Sequence, residues 1–160
     1  MLPGVGHFAA TRRLDDTVLT PVIRAAIARG VPFLGICVGM QWLYAGSTEA
    51  PEQPGLAQFP EQCTRFPEGK EKVPHVGWNS LEVQSRSRLF HHVANGEFVY
   101  FTHSYRAPIT ADTAASTTYI EPCAAAMERG NVFGVQFHPE KSSDTGLKIL
   151  RNFLEMPLCS

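Results

Sequence analysis

Apolar residues at 18, 19, 22, 23, 26 and 27 (Val18, Leu19, Val22, Ile23, Ala26, Ile27) recur at helical spacing, so the pattern predicts one amphipathic helix over residues 15–29. Asp15 or Asp16 stands where a side-chain oxygen can cap its first amides. Gly30 follows as a left-handed exit, because it has no Cβ to clash. Residues 31–37, Val-Pro-Phe-Leu-Gly-Ile-Cys, form a short and continuously apolar run, as expected of a parallel strand buried on both faces. Met40, Leu43 and Tyr44 open a second helix directly after it. Residues 50–72 are rich in Pro, Gly, Glu and Gln and read as surface loop with room for one irregular strand. Strands are predicted at 81–83, 98–101, 117–121, 124–128 and 132–137, the last two joined by a hairpin through Arg129-Gly130-Asn131. A closing helix is predicted over 143–154, with Leu147, Leu150, Phe153 and Leu154 as its buried stripe. Helix and parallel strand come first, then mostly antiparallel strands, then a helix. That order predicts a single α/β domain over residues 1–160 with a mixed sheet flanked by helices, and no internal repeat or low-complexity tract interrupts it.

Composition narrows the function classes. The 14 Lys and Arg nearly cancel the 15 Asp and Glu, and no stretch concentrates one sign, which argues against nucleic acid as a partner. The longest apolar runs fall well short of the ~20 residues that cross a bilayer. No basic-then-apolar leader opens the chain. Cys37, Cys63, Cys123 and Cys159 form no CxxC pair, so neither a zinc site nor a redox dithiol is expected, and reduced thiols suit a cytoplasmic protein.

Gly35-Ile36-Cys37-Val38-Gly39 matches a small-x-nucleophile-x-small elbow. Such a turn passes sharply from strand to helix with the nucleophile in a strained conformation, and larger residues two positions to either side would collide. It also sets Cys37 at a helix N-terminus, whose dipole is expected to favour thiolate and lower the pKa. The plainer alternative is a buried structural cysteine. Val135-Gln136-Phe137-His138-Pro139-Glu140 then places a histidine just past a strand, with a carboxylate two residues on. A cysteine nucleophile needs a base within hydrogen-bond reach and a third group that orients the base. Alone, a histidine near a glutamate is usually accidental; in the order Cys, His, Glu after the elbow, coincidence explains it poorly.

With PGVG near the start, GICVGMQ at the nucleophile and FHPE at the base, the chain resembles a class I, triad-type glutamine amidotransferase domain. The resemblance implies a flavodoxin-like fold and hydrolysis of the glutamine side-chain amide with no cofactor and no metal. It implies Cys37 as nucleophile, His138 as the acid and base, and Glu140 as the group that holds the imidazole tautomer. The amide of Val38 and the Gly4-Val5 segment would donate to the oxyanion. Gln41 and Glu49 fall where the family recognises glutamine, and Ser104 and Tyr105 resemble the segment whose backbone meets its carboxylate. Without the elbow, Gln41 and Glu49 would read as exposed helix or loop residues. His7, His75, His91, His92 and His103 are scattered and read as surface or packing residues, with His75 and His103 as exceptions near the site.

Pro74-His75-Val76-Gly77-Trp78-Asn79 resembles the PHxGWN signature of the glutaminase subunit of imidazole glycerol phosphate synthase, in histidine biosynthesis. Residues 98–105 and His138-Pro139-Glu140-Lys141-Ser142 resemble the same subunit. The resemblance implies a heterodimer in which Trp78, Asn79, Tyr100 and Lys141 dock on a (β/α)8-barrel cyclase that receives the ammonia. It also implies a glutaminase that is largely idle until the cyclase binds. Structurally, Trp78 could instead be a core aromatic, although Gly-Trp-Asn beside turn residues is a poor core pattern. An indole is a common interface anchor.

The likeness departs at the front. Members of that family begin with a strand and a glycine-rich loop, then a helix and another strand, before PGVG, so about one βαβ unit is expected to be missing here, with Met1-Leu2-Pro3-Gly4 as the end of a strand. A misassigned start is the favoured explanation, ahead of a fragment or a degenerate remnant. The competing functions are a glutaminase of another synthase (serving aminodeoxychorismate, anthranilate or pyridoxal phosphate), a non-catalytic cyclase-binding module, and a cysteine peptidase of similar fold.

Overall fold

A computed structural model describes residues 1–69 and 71–157; Cys159 lies outside the described residues. The chain begins with β1 (Leu2–Gly4), then a 3-10 turn (Phe8–Thr11), α1 (Arg12–Asp16), α2 (Leu19–Ala28), β2 (Phe33–Cys37) and α3 (Val38–Trp42). The strands β3 (Tyr44–Ser47), β4 (Phe59–Arg65), β5 (His75–Ser80), β6 (Glu82–Val83), β7 (Phe98–His103), β8 (Tyr105–Arg106), β9 (Thr113–Thr118), β10 (Pro122–Arg129) and β11 (Val132–Val135) follow, and α4 (Ser143–Leu154) closes the fold.

The main sheet has six strands in the order β1-β2-β11-β10-β9-β6. β2 runs parallel to both β1 and β11, while β10 and β9 continue the sheet antiparallel. It is the mixed sheet expected. β2 is buried at all five positions, because an apolar cluster covers each face: Leu34 and Ile36 meet Phe133, Val135, Ile149 and Phe153 on one side. Phe33 meets Ile27, Met40, Trp42 and Val132 on the other. The hairpin through Gly130 forms as expected, with Arg129 opposite Val132 and Gly130 at φ +58°.

Several local expectations are corrected. The predicted 15–29 helix is two helices, broken at Val18 with φ +56°. Pro21 is the cause: in a continuous helix its ring would meet the Thr17 carbonyl, and the turn would lose a hydrogen bond, whereas the first turn of α2 tolerates it. Asp15 consequently lies inside α1 and caps no helix, accepting instead from Thr20 Oγ1 at 2.6 Å. Only Ile27 of the predicted stripe is buried; Val18, Leu19 and Val22 are exposed. The second helix stops at Trp42, and Tyr44 opens β3 rather than extending it. The 50–72 segment does hold the one irregular strand allowed for it, β4, parallel to β3 with a register shift and antiparallel to β8. The 117–121 strand lies earlier, at Thr113–Thr118. The stripe of α4 is Gly146, Ile149 and Phe153 with Leu150 at its edge, while Leu147 and Leu154 face out. Close packing of Gly146 explains that rotation: a Cβ there would stand 2.0 Å from the Pro139 carbonyl oxygen, so the smallest residue fixes which side of α4 faces inward.

β5 is a strand where the sequence pattern predicts none. It pairs antiparallel with β7 over six residue pairs, His75↔His103 to Ser80↔Phe98. Alternation along the two strands puts His75, Val99, Phe101 and His103 inside. Val76, Trp78 and Phe98 stand outside, exposed. Trp78 is therefore no core aromatic.

Candidate active site

β2 delivers Cys37 to the turn into α3 with φ +54° and ψ −112°, the strained backbone that the elbow requires. The flanking glycines are needed for clearance. A Cβ on Gly35 would lie 2.4 Å from the Gly39 carbonyl oxygen, and one on Gly39 would lie 2.0 Å from the Leu2 carbonyl oxygen of β1. Gly39→Ala should therefore cost about 3 kcal/mol or more of stability, because backbone on both sides must move apart. Gly69→Ala, whose nearest neighbour is a side-chain atom at 4.0 Å, should be close to neutral. Urea unfolding of the two variants against the parent checks the contrast.

The Cys37 thiol is not the activated group expected from the helix terminus. Burial pushes its pKa up to about 11, outweighing the lowering by the Val38 amide; Glu140 and Glu49 push it further up, and Gln136 offsets part of this. A short helix contributes little dipole, and the cost of burying a charge dominates. The sulfur is held by two polar neighbours: it donates to the Thr102 carbonyl at 4.0 Å and accepts from Gln136 Nε2 at 3.7 Å.

His138 follows β11, and its Nδ1 lies 2.7 Å from Glu140 Oε1. A carboxylate can only accept here, so Nδ1 carries a proton and Nε2 is the ring atom left to exchange one. Nε2 is buried with no hydrogen-bond partner, one of three such side-chain atoms among the described residues. The dyad is thus formed, while the thiol points to Thr102 instead of the imidazole. Buried Ser142 clamps the segment, donating to the His138 carbonyl at 2.6 Å and accepting from the Tyr100 amide at 2.9 Å. The His138 amide in turn donates to the Tyr100 carbonyl at 2.9 Å.

A cavity of about 300 Å³ opens on Cys37, and Val5, Val38, Gln41, Glu49, Ser104 and Tyr105 all line it. His138 and Glu140 are not on its wall. Gly4 pairs with Cys37 across β1 and β2, which brings the next residue, Val5, to the pocket. Gln41 is buried, contrary to the exposed-residue alternative, and its Nε2 donates to the Tyr105 carbonyl and to Gln136 Oε1, each at 3.1 Å. Glu49 is held at the pocket wall by the Phe8 amide at 2.7 Å. A second cleft of similar size is lined by Arg86, Asp112, Glu128 and Arg129 and shares no lining residue with the first; Arg129–Asp112 and Arg88–Glu128 pair there.

The residues 1–156 match the model of the class I glutamine amidotransferase family. The chain belongs to that family. Among its relatives, imidazole glycerol phosphate synthase subunit HisH of Moorella thermoacetica is 45% identical over 159 residues, covering 98% of this chain and 75% of the relative. The HisH subunit of Caldanaerobacter subterraneus is 44% identical over 162 residues, covering 99% of this chain and 79% of the relative. A crystal structure of a glutamine amidotransferase shares the fold with a TM-score of 0.70 at 20% identity, over 96% of this chain and 75% of the other. The α/β architecture is shared with that structure, and in this chain Cys37 sits at the strand-to-helix elbow. No helix among the described residues is long and apolar enough to cross a membrane, and no group of three or more His, Cys, Asp or Glu among them could hold a metal ion.

The remaining four sequence-derived positions gather outside this pocket. Trp78 and Tyr100 are cross-strand neighbours with ring centroids 6.1 Å apart at 73°, and Lys141 Nζ lies 5.8 Å from the Tyr100 centroid. Asn79 is turned away from them, donating to the Thr118 carbonyl at 2.9 Å. Sequence reasoning gave no role to Gln136, Thr102, Ser142, Val76 or Phe98. For Gln136 the signal was present: a glutamine between Val135 and Phe137 interrupts a buried apolar run.

Proposed function

We propose that this chain is the glutaminase subunit of imidazole glycerol phosphate synthase, releasing ammonia from glutamine and passing it to a cyclase partner in histidine biosynthesis. The observation that carries the chemistry is the strained Cys37 elbow opening on a pocket, with an oriented His138–Glu140 dyad whose carboxylate acts on the thiol. In the reaction, His138 Nε2 takes the thiol proton, the sulfur bonds to the carboxamide carbon, and the imidazolium returns the proton to departing ammonia. The amides of Val38 and of the Gly4-Val5 segment meet the oxyanion. Water then adds to the thioester with His138 as base, the carbon–sulfur bond breaks, and glutamate leaves.

Gln41 and Glu49 recognise glutamine, with Ser104 and Tyr105 at its carboxylate. Both N–H groups of Gln41 are already used, so it offers substrate only its acceptor oxygen. Glu49 answers the ammonium group. The whole chain acts as one amidotransferase domain in the cytoplasm, which the free, buried thiols of Cys37, Cys63 and Cys123 suit.

The outer face of β5 and β7, where Trp78, Tyr100 and Lys141 meet with exposed Val76 and Phe98, is the cyclase-docking surface. Asn79 braces it from behind. With its thiol proton on Thr102 and its pKa raised, Cys37 in the chain alone is poorly set for turnover, which supports activation by the partner. Glutaminase assays with and without the cyclase and its nucleotide test this: activity should depend on both, and strong turnover by the single chain overturns the dependence. Trp78→Ala should weaken cyclase binding by about 30-fold, near 2 kcal/mol, in a calorimetric titration. Unchanged affinity would remove Trp78 from the interface.

A further inference from the structure

The carbonyl of half-buried Tyr105 and the amides of buried Gln41 and Gln136 form one chain that ends on the nucleophile. The Tyr105 carbonyl can only accept, and it accepts from Gln41 Nε2 at 3.1 Å and from His103 Nδ1 at 2.8 Å. Gln41 must therefore present its NH₂ on this side, and the same nitrogen donates to Gln136 Oε1 at 3.1 Å. With its oxygen so engaged, Gln136 has one direction left for its own NH₂, and Nε2 lies 3.7 Å from Cys37 Sγ. Gln136 and Gln41 are both buried, so water does not compete for these groups.

His103 is fixed by the same logic. With its proton on Nδ1, its Nε2 must accept, and His75 Nδ1 donates to it at 3.2 Å. His75 Nε2 then faces Asn79 Nδ2 at 3.5 Å, on β5. From His75 to the sulfur the donor directions follow from the Tyr105 carbonyl, while Asn79 is anchored separately on the Thr118 carbonyl.

We propose that Gln136 is the side-chain donor that supports negative charge on the Cys37 sulfur, with its amide polarity imposed by Gln41 and the Tyr105 carbonyl. This rests on Cys37 being the nucleophile. Charge sits on that sulfur twice in the reaction: after His138 removes the thiol proton, and when the carbon–sulfur bond of the thioester breaks and the electron pair returns to sulfur. At both moments an N–H aimed at the sulfur is stronger than it is toward the neutral thiol. The charged groups that also act on the sulfur are Glu140 and Glu49, both opposing the thiolate, and His103 shares the cavity wall with Cys37. Gln136 is a side-chain group that favours it.

The test is the pH dependence of Cys37 alkylation by iodoacetamide, read by peptide mass, in the cyclase complex. Gln136→Leu should move the alkylation midpoint upward by about one pH unit. It should lower kcat for glutamine by roughly tenfold with KM little changed. Gln136→Glu keeps the shape and serves where Gln136→Leu does not fold: its carboxylate should suppress alkylation further. An unmoved midpoint in a folded variant overturns the proposal, and so does a raised KM with kcat intact, which would make Gln136 a substrate contact. Failure of Cys37 itself as nucleophile is distinguishable, because Cys37→Ala would then retain turnover.

Discussion

Cys37→Ala is expected to lower cyclase-dependent glutaminase turnover by about 10⁴-fold or more, on the order of 5–6 kcal/mol of transition-state stabilisation. No neighbouring group can replace the sulfur. Cys63 and Cys123 are buried elsewhere in the fold and line no part of the pocket. His138→Ala should have an effect of similar size, since the imidazole Nε2 is the single unpartnered base of the dyad. The double variant should be little worse than either single one, because nucleophile and base act as a unit. Steady-state ammonia release by the complex, with unfolding curves to confirm that each variant folds, measures all three. Losses that simply multiply would mean that the two residues serve different steps.

The second large effect concerns acid stability. Burial pushes the His75 pKa down to about 4 and that of His103 to about 3. Both therefore stay neutral in the folded chain at pH 5, where an unfolded chain, with histidine near 6.5, has bound the protons. The unfolded state holds more protons below about pH 6.5, so stability falls as pH falls. From pH 6.5 to 5 the pair should cost about 3 kcal/mol, a large share of the roughly 5–15 kcal/mol that holds a typical domain together. That window lies above the carboxylate range, which isolates the histidines. His103→Gln should about halve the slope of unfolding free energy against pH. A flat profile in the parent would contradict the burial and fixed tautomers of this pair.

How much of this was readable beforehand depends on what each residue's role rests on. β2 and the elbow were legible because a continuous apolar run, two glycines and a cysteine leave few other solutions, and the structure supplies the carbonyl oxygens that forbid larger residues. The His138–Glu140 dyad was legible because it is local, two residues apart. Helix positions failed where packing, not spacing, decides: Pro21 splits one helix into two, and Gly146 turns α4 so that Leu147 faces out. β5 was hidden because Pro, Gly and Asn around Trp78 read as turn residues, although its partner strand β7 supplies the ladder. The raised Cys37 pKa was also out of reach. Spacing shows that the thiol heads a helix, but only the fold shows how deeply it is buried. The interrupted apolar run marks Gln136 as unusual, but its partners lie 95 and 99 residues away in sequence, so its role was not legible there.

The most direct test is to trap the covalent intermediate. The complex with its cyclase and nucleotide is mixed with glutamine, quenched in acid within the first turnovers, digested, and examined by mass spectrometry. The peptide containing Cys37 should carry a γ-glutamyl thioester that disappears on incubation with hydroxylamine. Cys37→Ala should carry none. Turnover without any adduct on the Cys37 peptide, or with an adduct on another residue, would contradict Cys37 as the nucleophile of this glutaminase.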